Sequence, residues 1–252
     1  MSEVRKTMTV NISKISTPKP YDVLANQLRE AILRGDIPEG DALPSERELV
    51  LQTGLTRGSV REALRMLAVE GLVQTRQGRW GGNIVTLPDN DAMAMAVGQF
   101  VRGRKLSLRT LHETRETLEP ALARLAAQRR TEADIVQLKS LHAQLVASSE
   151  KFQQFSLVNI KWHNAVAAAS GNELLRALLY SVSYGVAVAT TTEDYDTMET
   201  RREVIRIHSR IIDAIETGKP EEAEYSMRQH IGATRARAQA SESTDIPLSD
   251  EA

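Results

Sequence analysis

Residues 43–82 read LPSERELVLQTGLTRGSVREALRMLAVEGLVQTRQGRWGG, and the helix starts, stops and alternations in this stretch decide the fold of the first part of the chain. Ser45 followed by Glu48 is a capping box, so a short helix starts after Ser45, and Gly54 stops it. Thr56 caps a further helix that carries Val60, Ala63, Leu64, Leu67 and Ala68 on one face and closes at Gly71. The alternating LVQTRQ and the later NIVTL flank the loop GRWGG, the pattern of a β-hairpin with a glycine-rich tip. Upstream, Val23, Leu24, Leu28, Ile32 and Leu33 keep helical spacing and Gly35 ends the run, which predicts a helix over Tyr21 to Leu33. Helix, short helix, turn, helix and hairpin is the order of a winged helix-turn-helix, in which the helix after the turn enters the major groove of DNA.

Outward from this stretch the chain changes character. A length of 252 residues suits two domains, each with its own core. Residues 1–19 are polar and proline-bearing and read as a flexible arm, 20–87 as the winged helix-turn-helix, and 88–91 as a linker. Residues 92–240 read as a helical effector-binding and dimerisation domain, and 241–252 as a disordered tail. Leu108, Leu111, Leu118, Leu122 and Leu125 share one helix face; Thr131 with Asp134 caps the next helix over Ile135, Leu138, Leu141 and Leu145. Further helices are predicted over 152–169, 173–189, 201–217 and 221–238. The fold class is therefore mainly α: an N-terminal winged helix-turn-helix of three helices plus a β-hairpin wing, and a C-terminal all-helical bundle.

Composition narrows the chemistry. Hydrophobics at 41%, charged residues at 26% and aromatics at 4% mark a helix-rich globular chain. A formal net charge of -1 means that contact with a polyanion must come from a local basic surface. With no cysteine, thiolate zinc sites and disulfides are excluded, and a metal must use histidine, carboxylate or amide oxygen. The start MSEVRKTMTV lacks a signal-peptide core, and no run approaches the roughly 20 apolar residues of a membrane span. A cytoplasmic protein without a membrane partner is expected.

The polar residues fall into two constellations. Thr56, Arg57, Ser59 and Arg61 begin the helix after the turn, where amides and guanidinium groups meet phosphates and an arginine can reach guanine O6 and N7 together. Arg47 on the second helix, and Gln77 with Arg79 at the loop tip, add backbone or minor-groove contacts. An isolated arginine-bearing helix would read first as a solvated face; its place in this succession of elements favours DNA. In the second domain, Asn159 and His163 are four apart on one helix, so they share a face. His208 lies ten residues before Gly218 and His230 twelve after it, which puts both imidazoles at nearly one height on antiparallel helices rising about 1.5 Å per residue. Converged, three neutral imidazoles and an amide oxygen suit zinc or nickel, with positions left for a ligand; taken singly, each histidine also fits a surface or hydrogen-bonded core position. Arg115 interrupts the apolar stripe of Leu108, Leu111, Leu118 and Leu122, so its guanidinium needs an anion. Glu119, another core carboxylate, or a bound organic acid would each serve.

The stretch quoted above resembles the reading head of the GntR family of regulators, from about Tyr21 to Leu87. The resemblance implies that Arg47, Thr56, Arg57, Ser59 and Arg61 contact DNA, with Gly78 and Arg79 in the wing. ETRETLEPALARLAA, NIKWHNAVAAASGNELL and the paired later histidines are similar to the FCD effector domain of the FadR subfamily, over about Asn90 to Ala238. That similarity implies metal ligands at Asn159, His163, His208 and His230, with Asn159 standing where metal-binding members have an acid. It also implies a small carboxylate effector, here held by Arg115. His112 and His142 match no ligand position and read as helix-surface residues.

The function expected is a homodimeric, ligand-responsive DNA-binding transcription regulator, not an enzyme. Its partners would be an inverted-repeat operator in double-stranded DNA and a small carboxylate effector, and its cofactor a divalent zinc or nickel ion. A metal-dependent hydrolase or lyase fused to a DNA-binding head is the alternative, but no positioned acid-base carboxylate accompanies the histidines. A chromosome-architectural protein would leave Arg115 and the histidine set without a role.

Overall fold

The structure is a computed structural model that describes residues 18–78, 82–189 and 197–240, with side chains at 184–189 and 235–240 left aside. The expected tail, most of the expected arm, and Arg79 lie outside the described residues. Ten α-helices and a two-stranded antiparallel sheet are described, and the chain divides into two compact units, Met1–Pro88 and Asp89–Ala252.

The first unit contains α1 (Pro20–Leu33), α2 (Glu46–Thr53), α3 (Arg57–Val69), β1 (Val73–Arg76) and β2 (Gly82–Val85). The capping box is present in full: Ser45 Oγ accepts from the Glu48 amide at 3.2 Å, and the Glu48 carboxylate accepts from the Ser45 amide at 2.8 Å. Gly54 ends α2 with φ at 69°, a left-handed conformation that lets the chain double back before Thr56 starts α3. Leu24, Leu28, Leu49, Val60, Leu64, Leu67, Val73 and Val85 form the core, one apolar face from each element. The hairpin pairs Val73 with Val85 and Arg76 with Gly82. One pairing escaped sequence reasoning. Ala42 bridges to Ile84, the Leu43 amide donates to the Asn83 carbonyl at 2.8 Å, and the Val85 amide donates to the Asp41 carbonyl at 2.8 Å. The turn-rich segment before α2 thus ties the wing to the helices, a long-range pairing with no local periodicity to announce it.

The second unit holds α4 (Asn90–Gly103), α5 (Leu108–Arg129), α6 (Glu132–Ala147), α7 (Phe152–Ala169), α8 (Glu173–Ala189), α9 (Met198–Glu216) and α10 (Pro220–Ala240). The connection between units is shorter than the expected linker at 88–91, because Asp89 Oδ1 accepts from the Ala92 amide at 2.9 Å and α4 starts at Asn90. Helix α5 is central, packed by α7, α8, α9 and α10. Trp162, Val166, Ile211, Ile215 and Met227 from its partners and Leu138 from α6 form the main core with Ala123 and Ala126 of α5 itself. Among the described residues no helix is long and apolar enough to cross a membrane.

Leu67 is wholly buried where α3 meets the hairpin, so Leu67→Ala is expected to destabilise the first unit by about 2–5 kcal/mol. Ser45→Ala, which loses only the cap, is expected to cost about 1 kcal/mol. Urea midpoints measured for both variants check the order; a larger loss at Ser45 would contradict the packing described.

Candidate DNA interface and buried histidine site

The candidate reading surface is built on the start of α3. Thr56 occupies the N-cap, where its Oγ1 accepts from the Ser59 amide at 3.2 Å and lies 3.0 Å from Ser59 Oγ. The hydroxyl is thereby held at the helix end, beside free amides that favour anions. Arg57 and Arg61 follow on the exposed side. Arg61 Nε donates to Glu46 Oε2 at 2.8 Å, tying α3 to α2, but both side chains are solvated, so this pair exchanges for a phosphate at little cost. Arg47 is exposed on α2, and Gly78 follows β1 with φ at 111°. Arg65 and Arg76 are exposed on α3 and β1 and were not singled out from sequence. The spacing of Arg57, Arg61 and Arg65, four residues apart each time, was the signal available.

In the second unit, α7, α9 and α10 bring His163, His208 and His230 together, one ring nitrogen from each lying within 4.8 Å of the others. All three are buried. His208 Nε2 stands 3.1 Å from His230 Nε2, which stands 3.3 Å from His163 Nε2. Trp162, adjacent to His163 on α7, stacks on the His208 ring at a centroid distance of 3.6 Å and 12° between planes. Asn159 lies one turn before His163, and its Oδ1 is buried without a hydrogen-bond partner among the described residues.

Arg115 and Glu119 complete the arrangement from α5. Arg115 Nε donates to Glu119 Oε1 at 2.5 Å, so among the partners open to Arg115 the fold supplies Glu119. The second oxygen, Oε2, accepts from His163 Nδ1 at 2.5 Å. Burial alone would raise the Glu119 carboxyl, but the charges and hydrogen bonds of Arg115 and His163 outweigh it and hold the group at about 2. Burial pushes His163 below its ordinary value despite the carboxylate beside it, and pushes His208 well below, so both rings are neutral. Neutral His163 with its proton on Nδ1 presents a lone pair at Nε2.

These residues fit a divalent cation. Nitrogens bound tetrahedrally at 2.0–2.1 Å from zinc stand about 3.3 Å apart, and the two Nε2 separations match that spacing. One proton on the Nε2 of His230 can at best be shared between its two neighbours, so the cluster turns lone pairs inward, a demand that a cation meets.

His112 corrects the expectation of a surface residue. It is fully buried on α5, because that helix is covered from several sides and its interior stripe is wider than a single leucine row. His142 is half-buried on α6, with Nε2 3.0 Å from the Ile205 carbonyl of α9.

A helix-turn-helix head with exposed arginines along α3 and a helical domain that buries a cluster of histidines are the parts of a DNA-binding regulator with a sensor domain. Residues 20–79 match the bacterial regulatory proteins of the gntR family and residues 110–233 match the FCD domain, so the chain belongs to the GntR family and carries an FCD effector domain. The Glc operon transcriptional activator of Escherichia coli strain K12 is 28% identical over 218 residues, spanning 83% of this chain and 85% of that protein. The galactonate operon transcriptional repressor of the same strain is 26% identical over 225 residues, spanning 86% and 95%. A solved structure described as Streptococcus agalactiae GntR superposes with a TM-score of 0.67 at 25% identity, covering 86% of this chain and 99% of its own. The chain is a DNA-binding transcription regulator rather than an enzyme.

The neutral rings set a pH dependence. An unfolded chain takes up protons on His163 and His208 below about 6.5, whereas the folded chain does not until lower pH, so unfolding binds protons and stability falls on acidification. The melting temperature of the second unit is expected to drop between about pH 7.5 and 5.5. Calorimetric scans across that range check it; a flat profile would mean that the rings take up protons in the fold at the same pH as in the unfolded chain.

Proposed function

We propose that this regulator senses a small organic acid, aided by a divalent zinc or nickel ion, and converts its binding into a change in affinity for an inverted-repeat operator bound by a homodimer. Such a regulator works beside its DNA in the cytoplasm. The convergence of three buried imidazoles next to the Arg115–Glu119 pair carries the reading. His163, His208 and His230 would hold the cation and Asn159 would lie beside it, while the cation supplies positive charge and a coordination position for a ligand oxygen. Arg115 supports the choice of a carboxylate: its Nε is engaged by Glu119, and its two terminal nitrogens make no hydrogen bond among the described residues. A guanidinium with that end open takes a carboxylate in a charge-assisted pair. A related repressor is named for galactonate, itself a carboxylate. A catalytic reading is weaker, because Glu119, the carboxylate bonded to the histidine cluster, is committed to both Arg115 and His163 and is not free to move protons.

Three outcomes test the reading. Thermal-shift titration of the chain with carboxylates, with and without zinc, is expected to find a ligand that raises the melting temperature by mass action, and Arg115→Ala is expected to abolish that rise. Asn159→Asp puts a charged oxygen at nearly the same position, so calorimetry is expected to show tighter zinc binding than wild type, and His208→Ala to remove it in both backgrounds. Equal zinc affinity in wild type and Asn159→Asp would exclude Asn159 from the site. For DNA, Arg57→Ala and Arg61→Ala are each expected to abolish specific operator binding in gel shifts while barely moving the melting temperature. Retained operator affinity in both variants would move the reading surface elsewhere.

A further inference from the structure

The inference that follows rests on the metal-assisted sensing just proposed and concerns a residue to which that reading gave no role in binding. Glu119 is almost fully buried at the middle of α5, with 1% of its side chain exposed. A carboxylate there costs several kcal/mol unless both oxygens are matched, and a bundle that needed only to neutralise Arg115 would be served by one contact. Glu119 instead divides its oxygens. Oε1 accepts from Arg115 Nε and Oε2 accepts from His163 Nδ1, each at 2.5 Å. Two consequences follow from the chemistry of the groups. A histidine whose Nδ1 donates to a carboxylate has its tautomer and ring orientation set, with Nε2 left as the electron-pair donor. In this fold that Nε2 is the atom facing His230 at 3.3 Å, within the cluster. Meanwhile the grip at Nε leaves the two terminal nitrogens of Arg115 without a hydrogen bond among the described residues, so a further anion can pair there without displacing Glu119.

We propose that Glu119 is a positioning residue that links the two halves of the sensor: through Oε2 it aims His163 at the cation, and through Oε1 it modulates how strongly Arg115 attracts an acid. Loading the ring with a cation draws electron density from His163 and strengthens its Nδ1–H as a donor. The carboxylate charge shifts towards the ring, and Arg115 is left with more of its field for the incoming acid. Cation and acid therefore bind with positive coupling, each favouring the other by the same factor. The two positions are joined by one side chain with no helix movement required.

The experiment uses the full chain stripped of metal, with zinc alone and malonate alone as probes. Histidine-detected nitrogen spectra of wild type are expected to show His163 neutral with its proton on Nδ1; a proton on Nε2 overturns the proposal, and this arm needs no variant to fold. Glu119→Gln keeps the size and a hydrogen bond but loses the charge. Its zinc affinity, from competition with a coloured chelator, is expected to fall about 10–100-fold, the usual loss for a carboxylate behind a metal-bound imidazole. Its malonate affinity without zinc is expected to rise severalfold, since a competing anion has gone. Opposite signs are the signature, because a merely structural role would weaken both. Unchanged zinc affinity in Glu119→Gln, or a fall for both probes, sinks the proposal while leaving metal-assisted sensing intact. Wild type that takes up no zinc at all sinks the sensing reading, and this proposal with it.

Discussion

A carboxylate inside an apolar bundle persists only while it is paired, and the arrangement around Glu119 shows how much structure that requirement organises. Glu119 must find a cation, so Arg115 stands one turn away on α5 and turns inward across a stripe otherwise reserved for leucine. The second oxygen must also be met, so α7 presents His163. Once His163 is fixed by Nδ1, its remaining nitrogen points at imidazoles carried by α9 and α10, and the central helix of the bundle becomes the back wall of a polar site. Charge pairing, rather than apolar packing, determines where these helices offer chemistry.

The reading head solves a different problem with the opposite means. Its core is a conventional apolar contact of α1, α2, α3 and the hairpin, and its charged groups stay in water. The pair between Arg61 and Glu46 is solvated and weak, which suits a side chain that must be free to engage DNA. Burial thus separates the two kinds of arginine in this protein. Arg115 is enclosed and paired through Nε with Glu119 at 2.5 Å, whereas Arg57 and Arg61 stay exposed to an external polyanion.

Much of the architecture was legible beforehand because it is encoded over short distances. Ser45 and Glu48, Thr131 and Asp134, Gly54 and Gly71 act within a few residues of themselves, and the structure has the corresponding caps and turns. The approach of His208 to His230 was also legible, since one tight turn at Gly218 relates two helices of near-equal length from it. What failed had no such local signal. The bridge from Ala42 to Ile84 joins segments far apart in the reading head, and the burial of His112 depends on how many helices cover α5.

The amino-acid sequence by itself determined the two-part organisation, the helix-turn-helix with its wing, the family, and the roster of histidines and arginines able to carry function. Capping, periodicity and motif spacing are properties of neighbours along the chain. Only the tertiary structure decided that Arg115 pairs with Glu119, that the same carboxylate also holds His163, and that the imidazoles of α7, α9 and α10 converge. Those outcomes depend on helix rotation and on the exclusion of water from groups 44 to 67 residues apart in sequence, as Glu119 is from His163 and His163 from His230. No local pattern encodes a rotation about a helix axis; it emerges when every buried face and every buried charge must be satisfied together.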